Sequence, residues 1–436
     1  MTKVVADLHL HSRFARAVSP QMTIPVISEM AKKKGITLVG TGDFTHPIWF
    51  RELQAGLTEA EDGIYKDRFA ADDSPRFILT TEISSIYSQG GRGRRIHTLL
   101  FAPSFATVEK INRELTLRGA NLLSDGRPIV GLTAKNIADL ALGVDPNCLV
   151  IPAHAWTPHF SLYGSISGFD SLAECFGETA VEIFAIETGL SSDPAMNWRV
   201  GELASRRIVS FSDAHSPAKL GREATVFEMP KLSYEGVRRA ITNEGPEKIA
   251  YTIEFYPEEG KYHYTGHRNC GIVYSPNETR KKGTTCPVCG RPLTVGVLSR
   301  VEELATEEVE TKSVKDKNGV RWIIDKAQAK KPYVMLVPLA EILSEALGAG
   351  VGSQKIIAAY DGLVISLGGE FEILLKTSLS DIERVAGDRV AEGIAKVRSG
   401  DIVIEPGYDG VYGKVKIWKE ENVPSEPDGG NQETLF

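Results

Sequence analysis

Histidines at the ends of short apolar runs are the first feature of this sequence that could do chemistry. His9 and His11 follow the apolar pair 4–5, and residues two apart on a strand point to the same face. Two imidazoles on one face can bind one metal ion. Similar run ends, closed by Asp, Glu or His, recur along the chain. The candidate metal ligands are His9, His11, Asp43, His46, Glu82, His97, His154, Asp213 and His215.

These candidates have the chemistry of a metal-dependent hydrolase. Zinc and manganese take imidazole nitrogens and carboxylate oxygens. Two such ions, ~3.5–4 Å apart, can activate a water molecule and stabilise the leaving oxygen of a phosphodiester. Glu82 and Asp213 are the carboxylates that two ions could share, so we assign them the catalytic role. After the second strand, either Asp43 or His46 could be the ligand.

Alternating strand-like and helix-like patterns between residue 3 and about residue 250 would position these side chains. Helices are predicted at 24–34, 105–117, 134–142, 195–205 and 234–243, and strands at 36–39, 149–151, 181–186 and 226–229. Repeated β-α units predict a parallel sheet or barrel. Catalytic residues collect at the C-terminal strand ends of such folds, where most of the candidate ligands lie.

Length, charge and cysteine content narrow the class of protein. The chain has 436 residues, 42% hydrophobic residues and a net charge of −7, which fits a soluble protein of about three domains. This charge excludes a wholly basic nucleic-acid binder but leaves room for local basic patches. No apolar run is long enough to span a bilayer. Five cysteines, three of them clustered, predict a cytoplasmic protein with a metal site rather than disulfides.

The clustered cysteines have the spacing of a zinc ribbon. His267-x2-Cys270 precedes Cys286-Pro-Val-Cys289, so one cysteine of the usual pattern is a histidine. The spacing predicts structural zinc, with His263 as the alternative to His267 for the fourth ligand. Because basic residues outnumber acidic ones here, the module could contact DNA. Its basic residues are Arg268, Arg280, Lys281, Lys282, Arg291 and Arg300, against the single acid Glu278.

Further basic and aromatic side chains near the predicted site are candidates for DNA contact. The loop 90–95 is rich in glycine and arginine and suits a polyanion; the alternative is a solvated hairpin tip. The loop 155–176 carries aromatic residues that could stack on a base or form local core. The candidate DNA-binding residues are Arg13, Arg16, Arg92, Arg94, Arg95, Trp156, Lys281, Lys282 and Arg291.

The order of these motifs resembles the PHP (polymerase and histidinol phosphatase) superfamily over residues 1–250. The resemblance implies a distorted seven-stranded β/α barrel that holds two or three metal ions and hydrolyses phosphoesters. Arg13 and Arg16 stand where the family usually has an acidic residue or histidine, and Asp43 and His46 replace an adjacent Asp-His pair. Both departures affect residues that would bind the third metal ion, so the resemblance leaves two or three ions open.

A PHP barrel followed by a zinc ribbon and a helical C-terminal region resembles the endonuclease Q family of DNA repair enzymes. The resemblance implies cleavage of the phosphodiester 5′ to a deaminated base (uracil, hypoxanthine or xanthine) or an abasic site, in single- or double-stranded DNA. It implies Zn²⁺ in the ribbon and the active site, with Mg²⁺ or Mn²⁺ as alternatives in the latter. The rival hypotheses are a small-molecule phosphoesterase of the histidinol-phosphatase type and a non-catalytic DNA-binding accessory protein.

The predicted domains are a catalytic barrel at 1–250, a zinc-binding ribbon at 251–300, a mostly helical DNA-binding domain at 301–422 and a flexible tail at 423–436. Residues 379–398 predict two helices around Gly387 and resemble half of a helix-hairpin-helix motif. The tail contains Gln432, Leu435 and Phe436, a pattern that resembles the short peptides that bind DNA sliding clamps. The alternative is a chain end without a partner.

Overall fold

The architecture is given by a computed structural model that describes residues 1–419. The strands of the N-terminal half are β1 (Thr2–Asp7), β2 (Leu38–Gly40), β3 (Leu57–Glu61), β4 (Ile64–Asp67), β5 (Arg76–Gln89), β6 (Arg92–Ala102), β7 (Ile129–Val130), β8 (Leu149–Pro152), β9 (Ala185–Glu187), β10 (Arg207–Val209), β11 (Ala224–Met229) and β12 (Lys248–Glu254). Its helices are α1 (Ile24–Lys34), α2 (Pro47–Gly56), α3 (Phe105–Leu117), α4 (Ala134–Val144), α5 (Leu172–Phe176), α6 (Pro194–Trp198) and α7 (Tyr234–Thr242).

The C-terminal half mixes short strands with a run of helices. Its strands are β13 (Thr265–His267), β14 (Ile272–Tyr274), β15 (Thr311–Lys315), β16 (Arg321–Asp325), β17 (Tyr333–Met335), β18 (Val403–Glu405) and β19 (Lys414–Lys416). Its helices are α8 (Pro276–Lys282), α9 (Val297–Leu304), α10 (Leu339–Leu347), α11 (Gln354–Leu367), α12 (Glu370–Leu375), α13 (Leu379–Ala386) and α14 (Asp388–Ser399).

A large mixed sheet is the centre of the fold. Its order is β15-β16-β17-β12-β11-β1-β2-β5-β4-β3, with β6 and β7 also on β5 and β8 on β6. The pairs β1–β2 and β2–β5 are parallel, whereas β1–β11, β5–β6 and β6–β8 are antiparallel. The strands β9 and β10 form a separate parallel pair. The prediction of a parallel sheet or barrel was therefore wrong for most pairs of this sheet, including β1–β11, β6–β8 and the long β5–β6 hairpin.

One buried apolar cluster lies among these strands. It takes alternate residues from β1, β6 and β8, together with residues of β2, β5, β9, β10 and β11. Since side chains on a strand alternate between two faces, these strands turn one face toward a common interior. The result is a mixed α/β fold with a large central sheet, in which the strand ends next to this interior can carry a site. The count of seven barrel strands stays a prediction.

Local sequence signals account for several helix bounds. The predicted helices 24–34 and 105–117 are confirmed as α1 and α3. Gly35 ends α1 in the left-handed conformation, at a φ of 82°, which glycine adopts without steric cost. The predicted helix 195–205 is interrupted after Trp198, and the Gly201 N–H instead donates to Thr306 Oγ1 at 2.9 Å.

The C-terminal region is helical only from Leu339 onward. Residues 311–335, assigned by the sequence to a helical domain, form β15–β17 and extend the central sheet. The two helices predicted around Gly387 are confirmed as α13 and α14. A buried ion pair attaches this region to α1, with Lys34 Nζ 2.7 Å from Glu370 Oε2. Within residues 1–419, no helix combines the length and apolar character needed to cross a membrane.

Candidate metal centre

Most of the candidate ligands converge around one buried centre, some just after strands and others within them. His9 and His11 follow β1, Glu82 lies within β5, and His97 lies within β6. Further residues come from the segments after β8 and β10, where the chain leaves the sheet. At this centre, three groups of side chains bring ligand atoms within 4.8 Å of one another: His9–His11–Glu82, His11–Asp213–His215 and Glu82–His97–His154.

Glu82 lies between two pairs of imidazoles. Its Oε1 is 2.7 Å from His97 Nδ1 and 3.0 Å from His154 Nε2. Its Oε2 is 3.1 Å from His11 Nε2 and 3.7 Å from His9 Nε2. A carboxylate with one oxygen in each of two ligand groups has the arrangement of a residue that bridges two metal ions.

Asp213 completes the side of the centre formed by His9 and His11. Its Oδ1 is 3.3 Å from His11 Nε2 and 3.5 Å from His9 Nε2. His215 lies next to it, with Nδ1 3.6 Å from the same carboxylate oxygen. This oxygen is buried and has no hydrogen-bond partner within residues 1–419.

Two further carboxylates, those of Glu187 and Asp43, orient the imidazoles of His9 and His11. His9 Nδ1–H donates to Glu187 Oε1 at 2.8 Å, and His11 Nδ1–H donates to Asp43 Oδ1 at 2.9 Å. These bonds leave each Nε2 with a lone pair. Both Nε2 atoms are buried without a hydrogen-bond partner in the described chain, and they face carboxylate oxygens that also carry lone pairs. A cation fits between them and would satisfy all of these atoms.

The electrostatics of the centre favour positive charge. Burial lowers the pKa of His9, but Glu187, Asp213 and Glu82 together raise it well above its ordinary value. Burial raises the pKa of Glu82, but His97, Arg127 and His9 hold it well below its usual range. In the absence of a metal these carboxylates would draw protons onto His9 and His11, whose pKa values are both raised. Burial instead lowers the pKa of His97 to about 4 and also lowers the pKa of His215.

Asp43 and His46, the two alternatives left by the sequence, both lie outside the three ligand groups. The Asp43 carboxylate accepts hydrogen bonds from the Ser12 N–H and hydroxyl at 2.6 and 2.7 Å, besides the bond from His11. The His46 ring stacks on Phe14 and accepts from the Trp49 N–H, which caps α2. The geometry therefore gives Asp43 the role of orienting His11, and His46 the role of a helix cap.

Several residues of the centre have a strained backbone. Asp43, His154 and Asp213 have φ values of 51°, 30° and 46°. Residues other than glycine rarely adopt positive φ, because the Cβ atom crowds the backbone. Such strain persists only where the surrounding structure imposes it.

Two residues of the centre were missed by the sequence. Glu187 closes β9 and is fully buried, and its strand-end position was the available signal. Arg127 lies in an irregular segment before β7, where no pattern pointed to it. Its Nη1–H donates to Glu82 Oε2 at 3.0 Å.

The predicted DNA-binding arginines around the centre differ in their exposure and in their protein partners. Arg92 and Arg95 are exposed on the β5–β6 hairpin, whose two-residue turn is Gly90-Gly91. The Arg94 guanidinium instead packs over the Phe169 ring, 4.0 Å from its centroid. Arg16 is exposed, and Arg13 pairs with Glu52 at 2.6 Å.

Trp156 cannot stack on a base as predicted. The side chain is fully buried, its ring lies 4.7 Å from that of Tyr163, and its Nε1–H donates to Asn197 Oδ1 at 2.8 Å. The aromatic residue therefore belongs to the core beneath the loop 155–176, which was the alternative interpretation for that loop.

The predicted ribbon residues converge in a second group. The ligand atoms of His267, Cys270, Cys286 and Cys289 all lie within 4.8 Å of one another. The distance from His267 Nδ1 to Cys289 Sγ is 3.4 Å, close to the ~3.6 Å that tetrahedral zinc with its usual bond lengths requires. His263 is not in this group; it is buried and lines a neighbouring cavity. Of the two alternatives, the geometry therefore selects His267.

The ribbon presents a smaller basic surface than its composition indicates. Lys281 and Arg291 are exposed, whereas Lys282 pairs with Glu278 at 2.9 Å. Arg300 is buried, and its guanidinium donates to the carbonyl oxygens of Tyr163 and Phe169. Arg300 therefore anchors the loop that follows His154 and is not available to DNA.

The buried constellation of imidazoles and carboxylates, on a mixed α/β fold, defines a metal-dependent hydrolase. The family described as the MJ0043 C-terminal domain matches residues 338–401. The uncharacterized protein YqxK of Bacillus subtilis is 29% identical over 95% of this chain and 100% of its own.

Two solved structures are similar over nearly the whole chain. The lesion-specific endonuclease PfuEndoQ from Pyrococcus furiosus is 34% identical, covers 95% of each chain and superposes with a TM-score of 0.80. An endonuclease Q in complex with a 27-mer duplex substrate that has an abasic lesion at the active site is also 34% identical, covers 96% of this chain and 97% of its own, and has a TM-score of 0.81. This chain belongs to the endonuclease Q family. It is a DNA repair nuclease that hydrolyses phosphodiester bonds.

Proposed function

We propose that this nuclease cuts the phosphodiester 5′ to a deaminated base (uracil, hypoxanthine or xanthine) or an abasic site. The observation that carries the proposal is a cavity of about 500 Å³ beside the metal centre, within the ~300–1,000 Å³ usual for small-ligand sites. Its rim includes Thr157, whose Oγ1 is 3.4 Å from His154 Nδ1. It also includes Gly189, where a Cβ atom would overlap the His154 side chain.

The lining of this cavity suits an extruded nucleobase. Phe255, Tyr262 and Tyr412 provide aromatic surface, and Lys219 and Arg222 provide donors. A deaminated base differs from its parent by a carbonyl in place of an amino group, so donors recognise the change. Damaged or mismatched bases leave the stack at a lower cost, which adds selectivity.

The residues that would hold the catalytic metals are His9, His11, Glu82, His97, His154, Asp213 and His215. When bound, zinc, manganese or magnesium would supply Lewis-acid chemistry for hydrolysis of the phosphodiester, leaving 3′-hydroxyl and 5′-phosphate ends. Glu187 and Asp43 hold the imidazoles of His9 and His11 in the required orientation. Glu82 belongs to two of the ligand groups, so its carboxylate would connect the His9–His11 side of the centre with the His97–His154 side.

The Cys/His group is proposed as a structural zinc site that presents Lys281 and Arg291 to the DNA backbone. Structural zinc supplies folding energy directly. Arg300, on the helix that follows, connects this module to the loop behind His154. We therefore propose that the module binds duplex DNA and stabilises the loop that follows His154.

We also propose that the end of the chain binds a DNA sliding clamp through Gln432, Leu435 and Phe436. These residues lie outside the described residues, so the proposal rests on the sequence. Adjacent apolar side chains can fill a pocket on a partner, at ~1.5–3 kcal/mol for each fully buried one.

The decisive experiment uses labelled duplexes that each carry one uracil, hypoxanthine, xanthine or abasic site, with the undamaged duplex as control. Incubation with Mg²⁺ or Mn²⁺ should give one product per lesion, cut on its 5′ side. Cleavage of histidinol phosphate, without cleavage of any duplex, would favour the phosphoesterase alternative. Lesion binding without cleavage under any metal, with zinc in the ribbon alone, would favour the accessory protein.

A further inference from the structure

Arg127 is the one Lys or Arg side chain, within residues 1–419, with an ion pair to a carboxylate of the metal centre. Its Nη1–H donates to Glu82 Oε2, the oxygen that also faces His9 and His11. The other N–H groups of its guanidinium have no described protein partner. The Arg127 side chain is 26% exposed, whereas that of Glu82 is 0% exposed, so Arg127 links a fully buried carboxylate to a surface that solvent reaches.

The backbone around Arg127 is fixed with respect to Glu82. The Pro128 carbonyl accepts from the Ser84 N–H at 3.0 Å, and β7 then pairs in parallel with β5 at Ser84–Ser85. The Arg127 N–H donates to Asp125 Oδ1 at 3.1 Å. Arg127 is therefore held by the same strand that carries Glu82, with little freedom to move away.

Close packing on the other side of the segment adds to this rigidity. The Gly126 N–H donates to the Phe14 carbonyl at 2.9 Å. A Cβ atom at Gly126 would lie 2.5 Å from Asp43 Oδ2 and 2.8 Å from the Ala15 N. Only glycine allows this approach, which brings Arg127 next to the centre.

Arg127 is not needed as a counter-ion for Glu82 in the metal-loaded enzyme. Two divalent cations would balance the four carboxylates around the centre, Glu82, Asp213, Asp43 and Glu187, so the positive charge of Arg127 would be in excess unless an anion joined it. Arginine keeps its charge at any working pH and presents five N–H groups in a planar fork that matches phosphate oxygens. The anion that this enzyme brings to the centre is a phosphodiester.

We propose that Arg127 binds a non-bridging oxygen of the scissile phosphate while it keeps its hydrogen bond to Glu82. Arg127 would thereby fix the position of the phosphate relative to the shared carboxylate and stabilise the charge that develops on it. This role deepens the proposed function and rests on it, because it assumes that the lesion strand crosses the centre beside Glu82.

The test measures DNA binding rather than cleavage. Fluorescence anisotropy compares two duplexes, each with a single abasic-site analogue. The first duplex has phosphodiesters throughout, and the second has a neutral methylphosphonate at the bond 5′ to the analogue. Both are titrated with Asp213→Asn protein, which keeps the strand intact, and with the Asp213→Asn/Arg127→Gln double variant. Arg118→Gln is the matched control, because Arg118 is an exposed arginine at the C-cap of α3 that pairs with Glu114.

We expect Arg127→Gln to weaken binding of the phosphodiester duplex about tenfold, the effect of losing a charged hydrogen bond, and of the methylphosphonate duplex less than twofold. The slope of log K against log salt should fall by ~0.9 on the first duplex only. Arg127→Lys, which keeps the charge, should retain most of the affinity. Arg127→Met, which removes the charge at similar length, replaces the Gln variant if the latter does not fold.

Equal losses on the two duplexes would overturn the role of Arg127 and indicate a structural effect. No loss on either would overturn it as well. If the Asp213→Asn protein binds the lesion duplex no more tightly than undamaged DNA, the proposed lesion function itself fails.

Discussion

The Glu187 carboxylate holds His9 from outside the metal centre, with Oε1 2.8 Å from His9 Nδ1. Its other oxygen accepts from the His154 backbone N–H at 2.7 Å. One buried side chain therefore sets the ring orientation of one proposed ligand and the backbone position of another. Such outer partners raise ligand basicity and fix the tautomer.

Glu187→Gln should reduce the affinity of the centre for metal by about 10–100-fold, the usual effect of losing such a partner. The amide can still occupy the space, so the fold should persist. Isothermal titration of metal-depleted protein with Mn²⁺ measures the change. Glu182→Gln, an exposed acid before the same strand, is the control, and equal affinities for both variants would contradict the role of Glu187.

Asp213→Asn should abolish cleavage and leave DNA binding largely intact. The substitution removes the charged oxygen that faces His9 and His11, while the phosphate contacts elsewhere remain. Single-turnover cleavage of a lesion duplex and anisotropy on the same duplex separate the two effects. Cleavage within about tenfold of the unaltered protein, or 1.4 kcal/mol in barrier, would refute the assignment.

Cys286→Ser should lower thermal stability and DNA affinity together. The thiol is buried within the Cys/His group, and its loss should remove one zinc per chain, as measured by mass spectrometry of the metal content. Cys148→Ala, a buried cysteine outside that group, should keep the zinc. Unchanged DNA affinity and salt dependence in a zinc-free Cys286→Ser protein would exclude the ribbon as a DNA contact.

Buried carboxyl groups behind the site should make stability depend on pH. Burial raises the pKa of Glu254 from 4.5 to about 8, and burial together with Glu254 raises the pKa of Glu223 well above its ordinary value. Between about pH 4.5 and pH 8 the folded state therefore holds more protons than the unfolded state. The free energy of unfolding should fall as pH rises through this window and level off above it.

Glu254→Gln tests this dependence. The amide keeps an oxygen to accept from the Ser210 hydroxyl, which lies 2.6 Å from Glu254 Oε1, but it cannot ionise. Urea unfolding at pH 6 and pH 8.5 should show a loss on the order of 1–3 kcal/mol for the unaltered protein and a smaller one for the variant. Parallel losses would show that other groups control the pH dependence.

Deletion of residues 432–436 should leave cleavage of free oligonucleotides unchanged and remove binding to a sliding clamp. Surface plasmon resonance on an immobilised clamp measures the binding, and replacement of the same five residues by Gly-Ser repeats controls for length. Undiminished binding by the truncated protein would contradict the proposal.

The sequence predicted the proposed metal ligands better than the residues that contact and orient them. His9, His11 and Asp213 follow strands and come together as the strand-end pattern predicted, whereas Glu82, expected at a strand end, lies in the middle of β5. Arg127 was missed because its partner is 45 residues away and no local pattern encodes the contact. Glu187 did close a strand, but its contact with His9, 178 residues away, could not be inferred from that position.

Elements whose bounds depend on local signals were also predictable. The helix α1 ends at a glycine with positive φ, a signal present in the chain itself. By contrast, the break after Trp198 depends on Thr306 from a distant segment. Trp156 was assigned to DNA because an aromatic residue in a loop beside an active site can stack on a base, yet the side chain is buried against Asn197 and Tyr163.

The left-handed backbone conformation of His154 and Asp213 limits how the thermal stability of this enzyme can be increased. A glycine at either position would relieve about 1–2 kcal/mol of strain and delete a proposed ligand at the same time. Libraries selected for heat resistance alone would therefore accumulate inert variants at these two positions. Directed evolution of a hardier enzyme needs a cleavage screen in every round, and thermostabilised relatives should be sought through changes elsewhere in the chain.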